Sequence, residues 1–384
     1  MSEYQYYEFR TVDRTLTPGE IAELEKLSTR AEITATSFTN SYSYGSFRGD
    51  PERMMERYFD AFVYVANWGT RQFMVRLPVC GVDLPAIEAY AGGGMTFWIK
   101  DDFVILSFRS EEEGGGEWEA GENWMPGLIS LREELLSGDL RSLYLGWLSG
   151  VFGGELDEEE AEPLMPEGLR TLTAAQGDLV QFLRIDDHLL EIAAERSTER
   201  TEVAPSHAQL VQWLRSQTAE SREAWLLKLL GESGQATRAE VLLQFRQSLR
   251  AAMVDPVADT AQPRTCQELR EAVEVRAAEA DRLRKAALVA KQAKEAKQAA
   301  AQRSRELDHL ATRIDAAWKE VDRKVSTKQT QQYGQAIQEL LALRDLATRD
   351  RHLAQFEARL LDLVRQHAKK SAFLERLRQA GLSW

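Results

Sequence analysis

Residues that build metal and covalent sites are scarce in this chain. It has two cysteines, Cys80 and Cys266, and five histidines. The cysteines are far apart and have no metal-ligand spacing, so they read as idle or buried thiols and not as a disulfide. His188, His207, His309, His352 and His367 contain no i, i+4 pair that would grip zinc from one helix, and none neighbours a cysteine. Surface or capping roles are expected for them. No Ser-His-Asp or Cys-His set assembles with any specificity. Apolar runs are short as well. None approaches the ~20 residues that span a bilayer, so no membrane partner is expected. The opening residues, Met1 to Phe9, lack the basic and apolar regions of a signal peptide, and a soluble, cytoplasmic protein is expected. Nothing in the chain asks for a cofactor.

Proline and glycine are missing from Thr265 to Val325, which marks a long helix. Charge divides at the same place. Thr265 to Trp384 holds 24 basic against 17 acidic residues, net +7, while the remainder holds 24 against 44, net −20. Eight cations crowd one stretch, Arg282, Arg284, Lys285, Lys291, Lys294, Lys297, Arg303 and Arg305, with Glu295 the one acid among them. Such a run tracks phosphates or docks on an acidic partner. The eight are spread around the helix, and no aromatic interleaves them before Trp318. A heptad-like seam runs through Leu283, Ala286, Ala290, Ala293, Lys297, Ala300, Ser304, Leu307, Ala311, Ile314, Trp318, Val321 and Val325. Its first half is lined by alanine. Its second half is apolar enough to pair two copies through Leu307, Ile314, Trp318 and Val321. After Ser326, three short helices centred on Tyr333 to Leu343, Leu353 to Val364 and Phe373 to Leu377 predict a small bundle.

The N-terminal part alternates strand and helix signals. Tyr4 to Val12 is aromatic and β-prone, and Thr17-Pro18-Gly19-Glu20 is a capping box that starts a helix. Ile33 to Tyr44 reads as a second strand. Asp50-Pro51 starts a second helix, predicted to run through Met54, Met55, Tyr58, Phe59, Phe62 and Val65 to a stop near Gly69. Gln72 to Leu77 is a third strand, and Thr96 to Phe108 a pair or one interrupted strand around Asp101-Asp102. An acidic loop at Glu111 to Glu122 follows, and helices then dominate from Leu128 to Met253, broken by a second acidic loop at Glu155 to Glu162. The fold class expected is α+β: a sandwich-like domain over 1–125, a helical domain over 126–254 and a linker over 255–264. A long basic helix or coiled coil follows over 265–325, and a small helical bundle over 326–384.

Few segments carry chemistry. The runs Gly92-Gly93-Gly94 and Gly114-Gly115-Gly116 lack the Lys and Ser/Thr of a phosphate loop and read as turns. Asp101-Asp102 beside a β-run is placed like the carboxylates of a metal-dependent nuclease, with a turn as the simpler account. Asn67, Trp68, Thr70 and Arg71 sit where a helix is predicted to meet a strand, and together with Asn40 they form a candidate binding groove. A Gly69 helix cap with a packed Trp68 is the alternative.

Several segments together are similar to a bacterial protein family usually labelled only as hypothetical. They are Ser2 to Phe9, Thr36 to Asn40, Gly49-Asp50-Pro51, Ala66 to Thr70, Leu183-Arg184-Ile185-Asp186, the basic helix and the closing Ala380-Gly381-Leu382. The resemblance covers most of the chain and transfers no activity or catalytic residue. It implies genes encoded near SWIM-type zinc-finger proteins, and so a protein partner of that kind with nucleic-acid business. The first expectation is a non-enzymatic protein–protein interaction or scaffold protein using the long helix. The alternatives are a nucleic-acid-associated accessory protein binding through the basic residues and a metal-dependent enzyme in the N-terminal domain.

Overall fold

The computed structural model describes residues 3–45, 47–112, 121–154, 156–200, 207–231, 234–252, 262–327 and 329–384. The fold is mixed α+β and divides into two compact units, Met1–Glu279 and Ala280–Trp384.

The first unit is built on one antiparallel sheet. Its strands are β1 (Gln5–Arg10), β2 (Glu32–Ile33), β3 (Ser37–Tyr42), β4 (Ala61–Ala66), β5 (Arg71–Pro78), β6 (Met95–Lys100) and β7 (Phe103–Ser110), in the order β2-β3-β1-β4-β5-β7-β6. Helices α1 (Pro18–Glu25) and α2 (Pro51–Arg57) start as the sequence predicts. Thr17 and Glu20 close a reciprocal capping box, and the Asp50 side chain accepts from the backbone N–H of Glu52 and Arg53. The second helix is shorter than its periodicity predicts. It stops at Arg57, and Phe62 and Val65 lie in β4. The run Phe62-Val63-Tyr64-Val65 is β-branched and aromatic, and it pairs with β1 on one side and β5 on the other. That two-sided pairing overrides the helical spacing of the apolar residues.

Alternation along the strands gives the sheet two apolar faces. Tyr7, Phe9, Phe38, Phe62, Met74 and Ile105 pack with Leu24 of α1 and with Met54 and Met55 of α2. Val63, Val65, Phe73, Val75, Leu106 and Phe108 point the other way, into a helical layer. That layer contains α3 (Leu84–Ala89), α4 (Met125–Leu128), α5 (Leu131–Leu136), α6 (Arg141–Gly153), α7 (Ala174–Phe182) and α8 (Asp187–Arg196). Helix α6 is buried nearly all round, and two glycines let it come close to the turn before β6. Gly94 N–H donates to the Gly146 carbonyl at 3.1 Å, and Gly150 packs directly on Gly93. The Gly92 to Gly94 run is therefore a packing turn. The second run, Gly114 to Gly116, lies outside the described residues.

Helices α9 (His207–Ser216), α10 (Ala219–Leu229) and α11 (Gly234–Ala252) meet around Trp213, which stacks on Trp225 at 5.6 Å and touches Phe245. Helix α12 (Cys266–Ala311) begins with a capping box between Thr265 and Glu268. Its first turns place Cys266, Leu269 and Val273 in the core of the first unit.

The second unit gathers α13 (Ile314–Ser326), α14 (Thr330–Arg349), α15 (Leu353–Gln366) and α16 (Ser371–Gln379) around Trp318, Val321, Leu340, Phe356, Leu360 and Phe373. The long helix breaks after Ala311, where sequence periodicity predicts continuity to Val325. Trp318, Val321 and Val325 lie on one strongly apolar face, and that face packs against α14 and α15. The apolar second half of the seam is thus used inside its own bundle. Trp318 and Val321 are buried there, Leu307 is buried at the end of α12, and Ile314 is partly buried.

Candidate functional site

A helix normally draws most of its stability from one face packed on something. Residues 281–306 of α12 do not follow this rule, because all 26 positions are exposed. Apolar side chains are among them, with Leu283, Leu288 and Val289 exposed to 60, 56 and 64%. Six alanines between 290 and 301 supply helix propensity in place of packing.

All eight predicted cations lie on this span, and they fall into two groups. Lys285 pairs with Asp281 at 2.7 Å, and Arg303 pairs with Asp345 at 2.6 Å and Glu306 at 3.4 Å. Arg282 is also engaged. Arg284, Lys291, Lys294, Lys297 and Arg305 make no ion pair among the described residues. The scatter seen in sequence belongs to the whole set. At 3.6 residues per turn, the unpaired Arg284, Lys291, Lys294 and Arg305 fall within an arc of about 80°, with Lys297 about 60° beyond its edge. Within the arc the other residues are Ala287, Gln298 and Gln302; Glu295 borders it. The opposite side carries Ala286, Val289, Ala293, Ala296 and Ala300, spaced alternately three and four residues apart. The span has a basic face and a small apolar face, back to back.

The predicted groove residues are held in structural contacts. Asn67 to Thr70 form the β4–β5 hairpin turn, in which Gly69 has φ +102° and its N–H donates to the Ala66 carbonyl at 3.1 Å. A helix cap at Gly69 is therefore corrected to a hairpin turn, because the predicted helix is strand β4. Asn67 Oδ1 accepts from Tyr4 N–H at 2.9 Å, and Trp68 is exposed. Arg71 donates to the carbonyls of Gln181 and Phe182 at 3.0 and 3.3 Å and lies over the Trp124 ring. It caps the C-terminal end of α7, where a cation suits the helix dipole. Asn40 is buried in β3, donating to Ser28 Oγ and the Tyr42 hydroxyl at 2.8 Å each, and among the described residues it shares no partner with the other four.

Asp101 and Asp102 are exposed in the turn that joins β6 to β7, and Asp101 has φ +52°. They act there as turn formers. Among the described residues no group of three or more His, Cys, Asp or Glu side chains is gathered to hold a metal ion.

Buried ion pairs are what sequence reasoning missed. Glu162, predicted in a solvated loop, accepts from Arg264 Nε and Nη2 at 2.7 Å each and from the Tyr144 hydroxyl at 2.6 Å. Asp139 is buried among Arg141, Arg200 and Gln176. Burial pushes its carboxyl up, but hydrogen bonds from Arg141 and the charges of Arg141 and Arg200 outweigh this and hold it below the usual range. In the second unit, buried His367 meets Asp322 at 2.6 Å through Nε2, while Lys370 Nζ sits 3.0 Å from Nδ1. An ammonium has only protons to give, so Nδ1 is the acceptor and the ring proton lies on Nε2 toward Asp322. Arg141 and Lys370 are near neighbours of the groups they meet, but Glu162–Arg264, Asp139–Arg200 and His367–Asp322 join elements distant in sequence, and no local pattern marks them.

An open groove of the first unit, about 640 Å³, lies between α8 and the start of α12 and is lined by Glu195, Glu268, Glu271, Arg196 and Arg276. In the second unit a recess of about 100 Å³ has Trp318, Phe356 and Leu343 as its floor and Asp350, His352 and Arg359 at its rim. No helix among the described residues is long and apolar enough to cross a membrane. No protein-family model, curated protein or solved structure matches the chain.

Proposed function

We propose that this chain is a non-enzymatic interaction protein that presents residues 281–306 to a protein partner. The observation that carries the reading is the unbroken exposure of 26 helical residues. A helical surface with Val289 and four alanines in one stripe offers a partner helix close backbone approach. Its own chain leaves that stripe uncovered at every position. The SWIM-type zinc-finger protein implied by the family resemblance is one partner of this kind, and a second copy of the chain is another.

The test uses the full chain purified from its host under gentle cross-linking, beside the variant Val289→Glu, Ala296→Glu. The expected result is a stoichiometric partner that is retained by the native chain and lost from the variant, whose helix content is unchanged by circular dichroism. Identical retention by both would reject the reading. Light scattering on the purified chain distinguishes a homodimer, which would change mass with concentration and revert to monomer in the same variant.

A further inference from the structure

We infer that the basic face of the 281–306 span is a sequence-independent binding surface for the phosphate backbone of duplex DNA. This goes beyond the protein-partner reading, since it uses the opposite side of the helix. Three observations carry it. All four cations of this face are unpaired among the described residues: Lys285 and Arg303, elsewhere on the circumference, are neutralised by neighbouring carboxylates, whereas Arg284, Lys291, Lys294 and Arg305 are not, and the unpaired Lys297 lies off the edge of the face. They are also aligned. Arg284 and Lys291 are seven residues apart, and Arg305 lies two further heptads on, so the row extends about 32 Å along the helix at ~1.5 Å per residue. Between them stand only alanine and glutamine.

The composition of the face selects the partner. A protein interface has an apolar or aromatic centre depleted of charge, and this face has the reverse. Single-stranded nucleic acid is held by stacking on aromatic rings, and no Phe, Tyr or Trp occurs between Cys266 and Ala317. What remains is a row of long cations suited to phosphates. An α-helix about 10–12 Å across is admitted by the ~12 Å major groove of B-form DNA but not by the deep, narrow one of A-form RNA. The helix would lie along one rim of that groove, its four cations on the phosphates of one strand and its alanine face turned away.

The test is a salt titration of binding to a 20-base-pair DNA duplex by fluorescence anisotropy, using the full chain. Four phosphate contacts predict a log–log salt slope near −3.6, or about 150-fold weaker binding at 200 mM than at 50 mM salt. Two variants of equal net charge are compared. One replaces Arg284, Lys291, Lys294 and Arg305 by Gln; the other replaces Arg282, Lys285, Lys297 and Arg303 by Gln. Repulsion from the acidic remainder of the chain is the same in both. The first is expected to lose at least 100-fold at 50 mM salt and most of the slope; the second is expected to stay within about threefold. Circular dichroism checks the helix. If the second variant loses helix content, Lys285→Gln with Lys297→Gln replaces it and carries the same threefold expectation. Equal losses in both variants, or no duplex binding by the native chain at 50 mM salt, would overturn the inference. So would RNA duplex or polyglutamate binding as tightly as DNA, the latter identifying an acidic protein as the partner of this face.

Discussion

Adding one methyl group at Gly150 should loosen the seat of α6 on the sheet, and the size of the effect can be worked out. A Cβ at Gly150 would overlap Gly93 Cα and lie 3.0 Å from the Gly93 carbonyl carbon and 3.2 Å from Gly94 N. All three are backbone atoms, so no flexible side chain can swing away. The helix must back off from the turn by roughly 1 Å, and a gap of that order forfeits a quarter to a half of the dispersion attraction between facing atoms. Overpacking of this kind costs about 1–3 kcal/mol, sometimes more. Alanine in a helix recovers about 1 kcal/mol over glycine. Because the clash is with backbone, the upper end of that range applies, and the net expectation for Gly150→Ala is a loss of about 2 kcal/mol, or a Tm lower by about 4–8 °C for a domain of this size. Gly177→Ala is the matched control. Gly177 lies inside α7, and a Cβ there meets nothing within 4 Å. Here only the propensity gain remains, and Tm should rise by about 2–4 °C. Thermal melts followed by far-ultraviolet circular dichroism read both changes. Shifts of the same sign at the two sites would refute the packing argument.

Three further outcomes are expected. Glu162→Gln and Arg264→Met should each cost about 3–5 kcal/mol in chemical denaturation, because each strands a buried charge, while the double variant Glu162→Leu, Arg264→Met should lie much closer to native; single losses below 1 kcal/mol would contradict this. The Arg14 guanidinium beside Glu20 holds the Glu20 carboxyl down to about 2, from an ordinary 4.5. A carboxyl lowered on folding adds stability above its unfolded value and loses it as pH falls. Because the pair is open to water, Glu20→Gln should cost about 1 kcal/mol at pH 7, with the difference from native shrinking between pH 4.5 and 2 in urea titrations; a pH-independent difference would rule this out. Arg71→Leu should cost about 1–2 kcal/mol by removing a charged donor from the last carbonyls of α7, read as a lower urea midpoint; unchanged stability would return Arg71 to the list of candidate binding residues.

The sequence by itself determined what depends on a few adjacent residues. The capping box at Thr17 and Glu20, the Asp50-Pro51 helix start and the turn at Asp101-Asp102 are each visible in three or four letters, because the groups that satisfy each other are neighbours in the chain. The basic, alanine-rich helix was legible for the same reason, since propensity and formal charge are local. Only the tertiary structure decided matters that hang on distant partners. Strand β4 replaces the expected helix because β1 and β5 pair with it from both sides. The seam residues Leu307, Trp318 and Val321 read as a dimer contact, yet Leu307 is buried and Trp318 and Val321 lie in the core of their own bundle. Glu162 left its acidic loop to meet Arg264 across 102 positions. The division of the basic run is of this kind too. Eight cations look alike in the sequence, but carboxylates on the same helix and on α14 neutralise Lys285 and Arg303, which leaves four unpaired cations aligned along one side of the helix. Burial and pairing depend on which surfaces the fold brings together, and no count of residue types along a chain contains that information.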